Sequence, residues 1–345
     1  MGKPIRVGDR LIGGGQPVFV IAEIGYNFRT LEEGKASIDA AVESGADAVK
    51  FQTFKAATVT SRRTNFPAEA GATNQFDEFR QYEISEEAHR LLFEHARTRG
   101  ISAFSTPSYY DDVDLLERLN VPLHKIGSDD LTNLPFLAYV GERKKPVIFS
   151  TGMGTMAEVA EAVACLQATG NEQLVVLQCV SNYPVRDLGA VNLRVIESYR
   201  RAFGIPVGFS DHTLSSSASL GAVALGACVI EKHFTLDKRL PVPDAPFSAD
   251  PAELAALVRE IRELEAALGD GVKRPVPSER DMRQETRKSA IARRALRAGE
   301  RLRPDDLIVK RPGTGVPPKL VELLAGRRAK RDIAEDEVIT WDMVD

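Results

Sequence analysis

The sequence predicts an α/β fold, a (β/α)₈ barrel of the TIM type, followed by a small C-terminal domain. Short β-branched runs alternate with segments of helical periodicity over the first 270 residues, which is typical of βαβ units in a parallel sheet. We count eight such runs, the number that a barrel of about 250 residues requires. A doubly wound open sheet is the alternative, but no Gly-x-Gly-x-x-Gly loop follows the first run.

The eight predicted strands are spaced as a repeating strand and helix unit requires. They cover residues 18–24, 46–54, 101–106, 122–128, 146–151, 174–181, 206–210 and 228–234. Amphipathic segments between and after them predict helices at 31–44, 85–98, 155–169, 193–203, 215–226 and 251–268. Gly45, Gly100 and Gly170 each stand just beyond one of these segments, where helices commonly end.

The C-terminal part of the chain follows a different pattern. Residues 269–277, GDGVKRPVP, interrupt the alternation and indicate a connecting segment. We therefore assign residues 1–270 to the barrel, 271–285 to a linker and 286–345 to a small domain. Within that domain, short strands are predicted at 289–292, 303–308 and 328–333, with a loop at 311–318.

Composition and charge exclude several classes of protein. The formal net charge is −4, which argues against a general nucleic-acid binder, although basic residues outnumber acidic ones in the C-terminal domain. Cys165, Cys179 and Cys228 form no C-x-x-C pair, so neither a disulfide framework nor a cysteine-based zinc site is expected. Without a long apolar run or a secretion signal, we expect a cytoplasmic protein with no membrane partner.

Polar residues end every predicted strand. In characterised barrels the active site lies at the carboxyl ends of the strands, so we expect these side chains to converge on one mouth. A single serine or threonine in such a place is commonly a helix cap, but eight polar strand ends together indicate a site. The residues are Glu23, Lys50, Gln52, Ser105, Thr106, Lys125, Ser128, Ser150, Thr151, Ser181, Tyr183, Asp211, His212, Glu231 and His233.

The donors among these residues predict an anion site. Lys50 and Lys125 carry ammonium groups that donate and never accept hydrogen bonds. Four hydroxyl groups stand at comparable positions, those of Thr106, Ser128, Ser150 and Ser181. A phosphate or a carboxylate is the expected guest.

Two of the five histidines, His212 and His233, end neighbouring predicted strands. Because adjacent strands lie about 4.8 Å apart, these imidazoles are expected to share one divalent ion with open positions, suited to a Lewis-acid role. His89, His95 and His124 are interpreted as surface or core residues. Glu23 follows an apolar run, so burial is expected to raise its pKa and make it a proton carrier. An ion pair with a lysine is the alternative for Glu23.

The polar strand ends belong to a series of short motifs along the chain. They are AEIG at 22–25, VKFQT at 49–53, FSTP at 104–107, KIGS at 125–128, STGM at 150–153, QCVS at 178–181 followed by Tyr183-Pro184, GFSDHT at 208–213, EKHFT at 231–235 and KRPG at 310–313. Taken together, these motifs closely resemble those of sialic acid synthases. The resemblance runs in order from about residue 16 to the C-terminus.

This resemblance implies a chemistry and an assembly. Sialic acid synthases join phosphoenolpyruvate to an N-acylated aldohexose such as N-acetylmannosamine, activate the aldehyde with a metal, and release phosphate by C–O cleavage to give a nonulosonic acid. The metal is expected to be Mn²⁺, with Mg²⁺ or Co²⁺ as alternatives. The C-terminal domain is expected to be an antifreeze-like (SAF) domain, swapped across a homodimer so that it covers the partner's barrel.

The resemblance also assigns roles to individual residues. The two lysines and four hydroxyl groups of the anion site would hold phosphoenolpyruvate, with Ser210 also on the substrate, and His212 and His233 would bind the metal. Glu23 matches an active-site glutamate, and Asp244 an aspartate near sugar and metal. Gln52 and Tyr183 match sugar-side positions, and Arg311 would contact the sugar's N-acyl group in the partner's site.

Three departures from the family pattern, Phe28, Asp130 and Ala245, are expected on the sugar side and place the identity of the acceptor in question. Two further interpretations stay open. In the first, the chain condenses phosphoenolpyruvate with a different aldehyde, including a phosphorylated sugar. In the second, it is a catalytically silent carbohydrate-binding relative.

Overall fold

The computed structural model describes residues 2–66 and 73–345. The chain divides into two compact units, one ending at Gly269 and the other spanning Asp270–Asp345. Each unit has its own hydrophobic core, and each is described by itself below.

The first unit is an eight-stranded parallel barrel. Its strands are β3 Phe19–Gly25, β4 Ala48–Thr53, β5 Ser102–Pro107, β6 His124–Ile126, β7 Val147–Ser150, β8 Leu174–Cys179, β9 Val207–Asp211 and β10 Val229–His233. They pair in the order β5-β4-β3-β10-β9-β8-β7-β6, and the end strands β5 and β6 lie against each other. This confirms the predicted fold class.

A short hairpin precedes the barrel and was not predicted. Its strands, β1 Ile5–Val7 and β2 Arg10–Ile12, pair in antiparallel fashion. Each contains only three residues, too few to display an alternation of apolar and polar side chains. Ile5, Val7 and Ile12 are buried in the barrel's core cluster.

Helices follow the barrel strands, and their ends are fixed by side-chain caps. Thr30, Thr155 and Asp250 each form a capping box with a glutamate three residues on, which satisfies amide groups that the first helical turn leaves free. The helices are α1 Leu31–Glu43, α2 Ala56–Val59, α3 Gln75–Arg80, α4 Glu86–Thr98, α5 Tyr110–Arg118, α6 Leu134–Gly141, α7 Met156–Ala168, α8 Val195–Phe203, α9 Ser217–Ala224 and α10 Pro251–Leu268.

Strand register brings the polar strand ends to one level. Glu23 of β3 stands opposite His233 of β10 on one side and opposite Lys50 of β4 on the other. Gln52 stands opposite Thr106 of β5. Because side chains alternate between the two faces of a strand, neighbours in register face the same side of the barrel wall.

The second unit contains helix α11 Arg280–Thr286 and an antiparallel pair, β11 Ser289–Ala292 and β12 Leu307–Lys310. Most of α11 lies within residues 271–285, the predicted linker. The predicted strand at 328–333 is wrong, because that segment forms only isolated bridges, such as Ala329 with Val344 and Leu296 with Ile333. In the portion of the chain that the structure describes, no helix is long and apolar enough to span a bilayer.

Candidate active site

Four buried ionisable side chains meet inside the carboxyl end of the barrel. The Lys50 Nζ atom lies 2.8 Å from Oε2 of Glu23 and 3.8 Å from Oε2 of Glu231. The Lys125 Nζ atom lies 3.8 Å from Oε1 of Glu231. Glu231 therefore stands between the two lysines, and it also accepts a hydrogen bond of 2.9 Å from the Ser210 hydroxyl.

Hydroxyl groups extend this cluster on the lysine side. Lys50 donates to Thr106 Oγ1 at 3.0 Å, and Lys125 donates to Ser150 Oγ at 2.7 Å and to the carbonyl oxygen of Ile126 at 2.8 Å. The structure thus brings together Lys50, Lys125, Thr106 and Ser150, as the sequence predicted. Such donors, fixed by strands on either side, suit an oxygen-rich anion.

A second group of donors surrounds Gly152. Its amide donates to Ser128 Oγ at 2.9 Å, and the buried hydroxyl of Ser181 has no hydrogen-bond partner within residues 2–66 and 73–345. A methyl group on Gly152 would lie 2.1 Å from Ser181 Oγ and 2.9 Å from Ser128 Oγ. Glycine at this position therefore leaves room beside two hydroxyl groups that a larger residue would fill.

Burial controls the protonation of the cluster. It raises the pKa of Glu23, although Lys50 and His233 oppose the rise. Burial also lowers the pKa of Lys125, and Lys50 adds to the effect. Burial opposes the charge on Lys50 as well, but Glu23 and Glu231 outweigh it, so the pKa of Lys50 is raised. A carboxyl group whose pKa is raised inside a cleft is a candidate proton carrier.

The imidazoles of His212 and His233 lie together beside this cluster, with ring centroids 5.2 Å apart. The Nδ1 atom of His212 donates to the carbonyl oxygen of Val180 at 2.8 Å. The Nδ1 atom of His233 lies 3.3 Å from Oδ2 of Asp244. Tyr183 covers the pair, since its ring centroid is 4.2 Å from that of His212 and 5.8 Å from that of His233.

These two imidazoles fit a divalent ion. The bond from His212 Nδ1 to a carbonyl leaves the lone pair on Nε2, which is the usual way in which a protein prepares a histidine for a metal. Residues 2–66 and 73–345 contain no group of three or more His, Cys, Asp or Glu side chains that could hold a metal ion. Two protein nitrogens leave several positions open, which suits a Lewis acid rather than a closed structural site.

Part of the prediction about strand ends was wrong. Ser105 bonds Thr53 at 2.6 Å, Thr151 donates to the carbonyl of Leu177, and Asp211 pairs with Lys232. These three residues face the helices that surround the barrel. The reason is the twofold alternation of a strand: Thr106, Ser150 and Ser210 occupy the inner positions, so the polar residues next to them, Ser105, Thr151 and Asp211, point outward.

The same alternation would have placed two further residues on the inner face: Glu231, which the sequence analysis named only as a strand end, and Cys179, to which it gave no role at the site. Glu231 is two positions before His233, so it shares the inner face. Cys179 stands opposite Ser210 in the sheet, and its sulfur lies 4.0 Å from Nδ1 of His212. Burial opposes ionisation of this thiol, but His212, Ser128 and Lys125 outweigh it and lower the pKa of Cys179. All three cysteines are free thiols.

The three departures from the expected pattern lie in different places. Phe28 packs edge-on against Phe51, with centroids 6.0 Å apart, and is partly buried against the barrel's core cluster. Ala245 is buried directly after Asp244. Asp130 accepts a hydrogen bond from Asn133, and burial raises its pKa to about 6.

Comparison with known proteins identifies the family. The model of the NeuB family matches residues 37–273, more than half of the chain. The protein belongs to the NeuB family. The SAF domain model matches residues 287–345 of this NeuB chain, which confirms the predicted C-terminal domain.

Named relatives cover nearly the whole of this NeuB protein. It is 40% identical to the N,N'-diacetyllegionaminic acid synthase of Legionella pneumophila over 346 residues, which cover 96% of each chain. It is 36% identical to the human N-acetylneuraminate-9-phosphate synthase, over 97% of this chain and 95% of the relative. The crystal structure of N-acetylneuraminic acid synthetase from Leptospira borgpetersenii has a TM-score of 0.74 and 32% identity, covering 82% of this chain and 95% of that one.

Arg311 lies in the SAF unit of the NeuB chain and is exposed there. Its loop packs within that unit, because the Gly313 amide donates to the carbonyl of Gln284 at 2.7 Å. The loop is thus held against α11.

Proposed function

We propose that this chain condenses phosphoenolpyruvate with an N-acylated aldohexose and water, giving a nonulosonic acid and inorganic phosphate. Relatives that match more than nine-tenths of the chain are named as N,N'-diacetyllegionaminic acid, pseudaminic acid and N-acetylneuraminate-9-phosphate synthases, which supports the reaction class. The observation that carries the proposal is the placement of Lys50 and Lys125 on either side of Glu231, next to a pair of imidazoles.

The lysine side of the mouth is the proposed site for phosphoenolpyruvate. Its phosphate and carboxylate groups carry several negative charges, and Lys50, Lys125, Thr106 and Ser150 already form a connected set of donors. Ser128 and Ser181 would add hydroxyl groups beside the open space at Gly152. Ser210 would act indirectly, because its hydroxyl donates a hydrogen bond of 2.9 Å to Glu231 and so orients that carboxylate.

The proposed reaction forms one carbon–carbon bond and breaks one carbon–oxygen bond. Carbon 3 of phosphoenolpyruvate attacks the aldehyde carbon of the open-chain sugar, and the aldehyde oxygen takes up a proton from the Glu23 carboxyl group to become a hydroxyl group. Water then adds to the positive centre at carbon 2 and returns a proton to Glu23. The tetrahedral species expels phosphate by breaking the bond between carbon 2 and the bridging oxygen, and the proton of its new hydroxyl group passes to the departing phosphate, which leaves a 2-keto acid.

Glu23 suits the proton transfer because it is buried, its pKa is raised, and neighbouring side chains hold its carboxyl group in place. Gln52 Nε2 donates to its Oε1 at 2.9 Å, and Lys50 lies against its other oxygen. Asp244, beside His233, is the second candidate for this role. Glu231 remains between the lysines, where its charge would offset the cation that develops at carbon 2.

His212 and His233 would hold the divalent ion, for which we propose Mn²⁺, with Mg²⁺ or Co²⁺ as alternatives. Bound there, the ion supplies Lewis-acid polarisation of the aldehyde oxygen. The chain's own contribution is to fix the two imidazoles by the bond to Val180 and to cover them with Tyr183.

The acceptor would lie on the Tyr183 side of the mouth, near Gln52 and Asp244. The carboxyl group of Asp244 stands on this side, and its charge opposes a phosphorylated sugar, so we propose an unphosphorylated acceptor. Arg311 of a second subunit would contact the N-acyl group, in a homodimer that exchanges its SAF domains.

A phosphate-release assay tests the proposal. The purified protein is given phosphoenolpyruvate, Mn²⁺ and a panel of mono- and di-N-acetylated aldohexoses, with their phosphorylated forms as a second arm. We expect release of phosphate that depends on an unphosphorylated N-acyl sugar and is abolished by EDTA. Release only with phosphorylated sugars would favour the other aldehyde class, and no release with any sugar would favour a silent carbohydrate-binding protein.

A further inference from the structure

A buried ion pair lies directly behind the two imidazoles. Asp211 and Lys232 are the residues immediately before His212 and His233, and they stand opposite each other in the register of β9 and β10. The Lys232 Nζ atom is 3.0 Å from Oδ2 of Asp211, and the two side chains are 7% and 0% exposed. Both point away from the barrel mouth, on the face opposite the imidazoles.

This pair is bonded to the backbone on the far side of His212. Oδ1 of Asp211 accepts a hydrogen bond of 2.8 Å from the amide of Thr213, and Lys232 donates to the carbonyl oxygen of the same residue. Oδ2 of Asp211 also accepts from the Ser219 hydroxyl at 2.6 Å, which ties the strand end to α9. His212 therefore lies between Asp211 and Thr213, and the ion pair fixes both the amide and the carbonyl of Thr213.

Stability alone does not explain such a pair. Removing two charges from water is costly, and apolar residues of similar volume usually pack in their place with equal or better stability. The neighbouring wall of the barrel is apolar. Phe209 and Ile230, which stand opposite each other two positions before Asp211 and Lys232 on the same two strands, are both buried. A charged pair at this one level, next to both imidazoles, indicates a geometric requirement.

We propose that Asp211 and Lys232 are positioning residues, which fix the separation of His212 and His233 and so prepare the two nitrogens for one divalent ion. The inference rests on the metal site of the proposed function. Each member of the pair is covalently adjacent to one imidazole-bearing residue, so a shift of one strand end against the other changes the distance between the rings.

The test uses the double variant Asp211→Asn/Lys232→Met, which removes both charges together and leaves no unpaired buried charge. The matched control is Asp47→Asn/Arg262→Met. That pair also joins a buried aspartate to a cation at 3.0 Å, and its aspartate accepts a bond of 2.8 Å from the amide of Val20, but it lies at the amino end of the strands. Any general loss of stability appears in both variants.

Cobalt(II) binding to the full-length protein is measured by titration of its visible absorption. We expect affinity to fall by about 10–100-fold in the Asp211→Asn/Lys232→Met variant, the usual effect of losing such supporting contacts, and to stay at the parental value in the control. Parental affinity in the double variant would overturn the proposal.

A second measurement separates this inference from the metal site itself. If the parent protein binds no Co²⁺, the proposed metal fails, whereas the positioning role is still decided by metal-free crystals of the parent and the double variant. We expect the separation of the two ring centroids to depart from 5.2 Å in the variant. An unchanged separation in the variant would contradict the positioning role.

Discussion

The ammonium group of Lys50 lies 2.8 Å from the carboxyl group of Glu23, and the two side chains are 5% and 1% exposed. Glu23 thus competes for the cation that the proposed phosphoenolpyruvate site needs. When an anion binds Lys50, Glu23 loses part of the interaction that opposes its raised pKa. Binding of the enol phosphate and proton uptake by Glu23 are therefore expected to be coupled.

Replacement of Glu23 by glutamine separates these two roles. The Glu23→Gln variant keeps the shape of the side chain but removes the proton carrier, so we expect kcat to fall by about 10²–10⁴-fold. Affinity for phosphoenolpyruvate should be equal or higher, because the competing charge is gone. Phosphate release gives kcat, and calorimetric titration gives the affinity. Lys50→Met is the contrasting variant, which should lose the affinity, and parental turnover in Glu23→Gln would exclude Glu23 as the carrier.

The space at Gly152 gives a test of the anion site. In Gly152→Ala the new methyl group would lie 2.1 Å from Ser181 Oγ, so that serine must move and the pocket narrows. We expect the KM for phosphoenolpyruvate to rise by about tenfold or more, equivalent to roughly 1.4 kcal/mol, with the KM for the sugar little changed. Met153→Ala, at a side chain that is 74% exposed on the same loop, is the control. Equal KM values in both variants would place the phosphate elsewhere.

A buried histidine makes the stability of the barrel depend on pH. Nδ1 of His89 donates to the carbonyl of Ser85, its Nε2 lies 2.8 Å from Thr53 Oγ1, and burial lowers its pKa from 6.5 to about 4. The unfolded chain therefore binds a proton that the folded chain excludes, so stability is complete above pH 6.5 and falls as the pH drops toward 4. The expected loss is about 3 kcal/mol.

Urea unfolding at several pH values measures this effect. The slope of unfolding free energy against pH between 4 and 6.5 should be flatter in His89→Gln than in the parent. His95→Gln, at a partly exposed histidine on the same helix, is the matched control. Parallel profiles for the parent and His89→Gln would show that His89 is protonated equally in both states.

Complementation tests the proposed exchange of SAF domains. Arg311→Ala and Lys50→Met should each be inactive alone, since one lacks the acceptor contact and the other the anion site. If Arg311 serves the partner's barrel, mixed dimers contain one site with both native residues, and about a quarter of parental activity should return after subunit mixing. Mixtures that stay inactive, although native mass spectrometry detects the mixed dimer, would show that each barrel uses its own Arg311.

The sequence predicted the barrel well because eight apolar runs and their spacing carry the signal. Boundaries shifted by one or two residues, as at β3, which covers Phe19–Gly25 rather than 18–24. The three-residue strands β1 and β2 were missed because such short segments show no periodicity. In the SAF unit, segment 328–333 has strand composition, yet it pairs only at single bridges with Leu296, Arg301 and Val344.

The candidate site was predicted less completely, and one physical rule accounts for the difference. Residue type identified Lys50, Lys125, His212 and His233, but only the alternation of a strand separates inner from outer positions. Glu231 belongs to the inner set but was named only as a polar strand end, without a role, whereas Asp211 belongs to the outer set and was assigned to the mouth. The distance between Lys50 and Glu23 depends on the register of β3 and β4, which cannot be read from a single sequence.

The fate of the bridging oxygen of phosphoenolpyruvate tests the central claim most directly. The protein is incubated with Mn²⁺, an N-acetylated aldohexose and phosphoenolpyruvate that carries ¹⁸O between carbon 2 and phosphorus, and both products are analysed by mass spectrometry. We predict that the label leaves with the phosphate and that an equal amount of nonulosonic acid forms. Unlabelled phosphate, or phosphate released without a nonulosonic acid, would contradict the account.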